Sequence, residues 1–274
     1  MEIIIACLTI VAIALAAIAM VAAWRRKTDA HRTCVRLQAF PEPWQAMLEE
    51  NVGIYKRLPK PLRNMLHQHI LEFLDDKHFE GCAGIKISDE MRLTIAALAC
   101  IPLLGRSGPI YPDLSSILIY PGAFVPPETR ESDELFDDES ELDGESWDIG
   151  AVILAWDSIL QEAPRRFHPR NVILHEFAHQ LARQEGFADG YDFLDTDSGP
   201  GKTLRQEFQH LQQRSRRGIT GFIDDYAATN PAEFFAVLTE LFFGHPTQLH
   251  LRHPRIYEAF RTFYRVHPME WEKP

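Results

Sequence analysis

The apolar positions of this chain change spacing along its length, and each change predicts a different kind of element. Residues 3–23 read IIIACLTIVAIALAAIAMVAA, without a charge or a glycine. That is twenty-one residues, against about 20 needed for a helix to cross the hydrocarbon core of a bilayer. Trp24 follows as an interfacial aromatic, then Arg25, Arg26 and Lys27 as a basic flank. A cleaved leader carries its positive charge ahead of the apolar run, whereas only Met1 and Glu2 precede this one. The pattern therefore predicts a single uncleaved anchor, with no G-x-x-x-G packing face. By the positive-inside rule its N-terminus lies outside and the rest of the chain in the cytoplasm, at the inner (cytoplasmic) membrane.

After a linker over residues 28–42, broken by Pro41 and Pro43, the spacing becomes three and four. Leu62, Met65, Leu66, Ile70, Phe73 and Leu74 form one face of a helix over Pro61–Leu74. A second helix is predicted over Asp89–Cys100, with acids in its first turn and Pro102 just beyond its end. Two short runs, Ser116–Tyr120 (SILIY) and Ala151–Trp156 (AVILAW), read as strands. From Pro169 the helical period returns, interrupted by a Gly- and Asp-rich stretch from Gly186 to Gly201. No internal repeat is present. The expected architecture is a mostly helical α+β domain with a small sheet over residues 43–274, behind the anchor over 1–27.

With 274 residues, 46% of them hydrophobic, the chain can bury a core without staples, so a metal here points to catalysis rather than folding. The formal net charge of -11 argues against a nucleic-acid partner, which would need clustered Lys and Arg. Eleven acids against Arg130 alone lie between Glu128 and Asp148, a pattern that reads first as a solvated acidic loop. Cys7, Cys34, Cys82 and Cys100 form no C-x-x-C pair and read as free thiols.

One segment brings chemistry into this frame. PRNVILHEFAHQLARQEG (residues 169–186) has Pro169 suited to a first helical turn and Gly186 suited to the position past a helix end. Inside it, His175 and His179 are four apart and project from one helical face, so both imidazoles can reach one ion. Glu176 stands one step around, beside the water rather than on the metal. The neighbours Val172, Ile173, Leu174, Phe177 and Leu181 make this a buried helix, where such polar groups are costly unless compensated.

A catalytic zinc needs a third protein ligand and an open position. In DDYAATNPAEFFAVLTE (residues 224–240), Asn230-Pro231 marks a helix start and puts Glu233 in its first turn. Glu233 is the candidate ligand. Glu240, two turns along the same face, is a competing ligand or a residue that supports the ligands without touching the metal. Tyr226 could donate to an oxyanion, or could simply pack. The other histidines, His250 and His253 included, show no comparable pattern.

HEFAHQL together with DDYAATNPAEFFAVLTE resembles the Mlc titration factor A family of bacterial zinc peptidases. KHFEG (77–81), DEMRLTIAALAC (89–100), YPGAFV (120–125) and GESWDIGAVILAW (144–156) agree as well, and the similarity covers residues 40–270. The resemblance implies a gluzincin-like catalytic domain related to the anthrax lethal factor core, with Glu233 as third ligand and Tyr226 as transition-state donor. It also implies peptidase activity of aminopeptidase type on peptide or protein substrates. The family's namesake binds the repressor Mlc, so a regulatory protein partner is the alternative reading. Two departures stand out: family members lack the Ile3–Ala23 anchor, and RQEGFADGYDFLD after the helix differs from their pattern. An extended substrate is expected to pair with the edge of the Ala151–Trp156 strand, by analogy with other zinc peptidases.

Overall fold

The structure, a computed structural model, describes residues 2–122, 144–147, 150–163, 170–187, 194 and 199–272. It divides into two compact units, Met1–Ala39 and Phe40–Pro274. The first unit consists mainly of helix α1 (Glu2–Arg36). Among the described residues no helix is long and apolar enough to cross a membrane. The expected single-pass anchor, its inner-membrane location and the membrane as a partner are overturned by this. The helix holding the apolar run continues through Lys27, Asp29, Arg32 and Arg36.

The second unit begins with α2 (Glu42–Asn51) and α3 (Lys60–Asp76), each with a proline at its start. Leu66, Ile70 and Phe73 line the buried face of α3, as the spacing predicts. Strand β1 (His78–Gly81) follows, then α4 (Asp89–Cys100). Ser88 caps α4 by accepting from the Met91 N–H at 3.2 Å, and Ile101–Leu103 tightens into a 3₁₀ turn at Pro102. Strands β2 (Ser116–Tyr120), β3 (Gly144–Trp147) and β4 (Ala151–Ala155) complete the sheet.

The strand order is β1-β2-β4-β3, with β1, β2 and β4 parallel and β3 antiparallel to β4. Ile117 pairs with Val152 and Ile119 with Leu154, and all four are buried, so one face of the sheet lies on the core. The strand expected over Ala151–Trp156 ends at Ala155, because Trp156 opens helix α5 (Trp156–Glu162). β4 also lies between β2 and β3. It has no free edge for a substrate, which corrects the pairing expected from sequence; β3 takes the edge instead. The acidic stretch lies outside the described residues except for β3.

The remaining elements are α6 (Val172–Gln184), α7 (Gly199–Ser215), α8 (Pro231–Gly244), α9 (Pro246–Arg252) and α10 (Pro254–Tyr264). α6 packs against α4, α8 and strands β3 and β4. Phe177 turns its ring away from the polar face of α6 into the core, with centroids 5.7 Å from Phe73 and 4.9 Å from Tyr111. Phe235, Phe242 and Phe243 of α8 pack with Phe260 and Tyr264 of α10. A mostly helical α+β domain is the result.

Candidate metal centre

The start of α6 is fixed by three side-chain acceptors. Asn171 is the N-cap, and its Oδ1 accepts from the Leu174 N–H at 3.0 Å. The buried Glu162 carboxylate accepts from the Val172 N–H at 2.7 Å. Glu240 accepts from the Asn171 N–H through Oε2. These bonds satisfy amides that a helix start leaves without partners, and two buried carboxylates there complement the helix dipole. Asn171, not Pro169, thus defines the boundary, and Pro169 lies outside the described residues. At the other end Gly186 has φ +82, as expected for a residue just past a helix.

On this helix His175 and His179 turn their Nε2 atoms toward each other, 3.2 Å apart. Glu233 reaches them from α8, whose N-cap Asn230 accepts from the Glu233 N–H at 2.9 Å. Its Oε2 lies 3.0 Å from His175 Nε2 and its Oε1 3.5 Å from His179 Nε2. Oε2 is buried and, although close enough to His175 for ion pairing, has no partner in hydrogen-bond geometry among the described residues. One donor atom from each of the three residues falls within a cluster no wider than 4.8 Å. Two imidazole nitrogens and a carboxylate facing one point, with an oxygen left over, fit a divalent transition-metal ion better than they fit one another.

Glu240 resolves the choice left open by its spacing. Its Oε1 is 2.8 Å from His175 Nδ1, on the far side of the ring from the cluster. It therefore orients His175 and presents Nε2 to the centre. With Oε2 on the N-cap amide, one carboxylate joins the ring to the start of its own helix.

The charges follow from this arrangement. Burial alone would lower the His175 pKa, but the carboxylates of Glu233 and Glu240 against its ring nitrogens push it up to about 10. Burial raises the Glu233 carboxyl, and the neighbouring imidazoles outweigh that, holding it well below the usual carboxylate range. Glu176 is buried, and burial lifts its pKa even though both histidines pull it down. Tyr226 is half exposed, with its ring centroid 6.1 Å from that of His175. Its phenol is pushed up to about 12, by burial and then by the Glu233 carboxylate, so it is a proton donor throughout the physiological range.

The structure thus brings His175, His179 and Glu233 together, with the Tyr226 ring beside His175 and Glu176 on the same helix. Sequence reasoning missed Glu162 and Asn171. Asn171 could have been found as a capping residue four before His175; Glu162 carries no local signal.

Fold and cluster together point to a metallopeptidase, and comparison with known proteins agrees. Residues 21–265 match the family described as glucose-regulated metallo-peptidase M90, and the chain belongs to that family. It is similar to an uncharacterized protein of Synechocystis sp., 36% identical over 252 residues and covering 90% of each chain. It is likewise similar to Mlc titration factor A of Pectobacterium atrosepticum, 31% identical over 83% of this chain and 87% of that one. Mlc titration factor A of Yersinia pestis is 29% identical over 81% and 86%.

Proposed function

We propose that this protein is a zinc-dependent peptidase of gluzincin type, in which His175, His179 and Glu233 hold one Zn2+ ion. The observation that carries the reading is the gathering of those three donors within 4.8 Å, with Glu240 aligning His175 from behind. When bound, the ion supplies a Lewis acid that acidifies water and polarises a scissile carbonyl. Glu176 takes a proton from the attacking water and passes it to the departing amine. Its raised pKa brings the carboxylate nearer to the range in which a general base works at neutral pH. The Tyr226 hydroxyl donates a hydrogen bond to the oxygen on which negative charge develops. An extended peptide lies along β3, the edge strand that packs beside α6. The substrate class is peptides, with cleavage of aminopeptidase type.

The test is hydrolysis of aminoacyl chromogenic and internally quenched peptides by the zinc-loaded full chain, with Glu176→Gln as the matched control. Cleavage that disappears in the variant supports the peptidase reading, and the preferred panel separates amino-terminal trimming from internal cutting. Absence of cleavage in a protein holding one tightly bound zinc would overturn it. The names of the Mlc titration factor A relatives favour a second reading, in which the chain acts by binding a regulatory protein; that outcome would transfer the case to it.

A further inference from the structure

Tyr226 is 49% exposed, so core packing does not fix its hydroxyl. It sits on the 3₁₀ turn Asp225–Ala228, and the residue that caps this turn is Asp224. Asp224 Oδ1 accepts from the Tyr226 N–H at 2.9 Å. Its other oxygen, Oδ2, lies 3.6 Å from the Arg170 guanidinium. Arg170 directly precedes Asn171, the cap of α6, whose amide is held by Glu240, the carboxylate that also holds the His175 ring. One line of contacts thus runs from the Tyr226 backbone to the ring of His175, across a sequence gap of more than fifty residues.

Resting on the peptidase reading above, we propose that Asp224 and Arg170 are positioning residues that set the Tyr226 hydroxyl relative to the metal ligands. Arg170 and Asp224 are 64% and 53% exposed at their side chains, and an ion pair so exposed contributes little to global stability. Its value lies in register: displacement of a catalytic group by about 1 Å can cost on the order of 100-fold in rate. An exposed pair is also screened by salt, which gives the latch a signature that a purely structural role lacks.

The experiment compares Asp224→Ala, Asp224→Asn and Arg170→Ala with the wild type, alone and in a Tyr226→Phe background. Asp224→Ala is expected to lower kcat about 10-fold, with KM and zinc content retained. Asp224→Asn keeps an acceptor for the Tyr226 amide but loses the ion pair, and Arg170→Ala matches it, each about 3-fold down. Added salt lowers kcat in the wild type and leaves those two variants flat. In the Tyr226→Phe background the same changes cost nothing further. A readout independent of turnover is amide exchange at Tyr226 in the metal-free protein, which quickens in Arg170→Ala although Arg170 makes no bond to that amide. Unchanged exchange in Arg170→Ala overturns the latch whether or not the protein cleaves peptides. Undiminished kcat in the ion-pair variants of a cleaving wild type, or an equal loss in the Tyr226→Phe background, overturns it too. A wild type that cleaves nothing sinks the peptidase reading alone, and the exchange result then decides whether the latch exists.

Discussion

Helices α4 and α6 are both buried, and they solve burial in different ways. Over Leu93–Cys100, α4 buries leucine, isoleucine, alanine and cysteine side chains around a single hydroxyl, Thr94, whose Oγ1 has no hydrogen-bond partner among the described residues. α6 buries Ile173, Leu174, Phe177 and Leu181 on one side, and carries His175, Glu176, His179 and Gln180 on the other. Its histidines are answered from outside by Glu233 and Glu240, and its first amide by Glu162. An otherwise apolar stretch of helix can tolerate one unanswered hydroxyl, at a cost of about 1–3 kcal/mol. A helix carrying two imidazoles and a carboxylate cannot be left unanswered, and the answering carboxylates prepare a site for a cation.

The contrast can be broken most sharply at Glu176. Glu176→Gln should lower peptidase kcat by about 10²–10⁴-fold with zinc content intact; a variant cleaving at the wild-type rate would strip the polar side of its chemistry. Next in size is Ile95→Ala in α4, which should destabilise the fold by about 2–5 kcal/mol in denaturant titrations. Zinc affinity at the folded baseline should stay unchanged, which separates packing from site. Glu240→Ala should weaken zinc binding about 10–100-fold in competition with a chelator, and binding equal to wild type would show that His175 needs no partner.

The pH dependence is subtler. In metal-free protein His175 titrates near 10, above the ~6.5 of the unfolded chain. Its contribution to stability is therefore complete below about 6.5 and fades as pH rises toward 10. Zinc must displace that proton, so affinity rises with pH over the same range. The melting-temperature gap between zinc-loaded and metal-free protein should widen from pH 6 to 9, and a constant gap would contradict the charge assigned to His175. The smallest effect is expected at Thr94→Val, which removes the unpartnered hydroxyl and should leave stability unchanged or raise it by about 1 kcal/mol.

The same two helices show what could be read from the chain. The Asp89–Cys100 helix was legible to its boundaries because acids, apolar period and Pro102 mark it locally. His175, His179 and Glu233 were legible because a four-residue step and an Asn-Pro start are local signals. The choice between the two tasks open to Glu240 was not, since it depends on a contact 65 residues away. β1 and β3 are four residues each, too short to show an alternation. The edge position was misplaced because strand order is decided by pairing, which no single strand encodes. The apolar run of α1 misled on location: no helix among the described residues is long and apolar enough to cross a membrane.

Arg106, at the C-terminal end of α6, bears on how a metal would be taken up. It pairs with Glu185, the residue that ends α6, donates to the Phe263 carbonyl at 2.9 Å, and stacks 4.5 Å over the Phe263 ring. With Asn171, Glu162 and Glu240 at the opposite end, α6 is fastened at both termini before any ion arrives. The loss of ligand freedom then accompanies folding of the chain rather than metal capture.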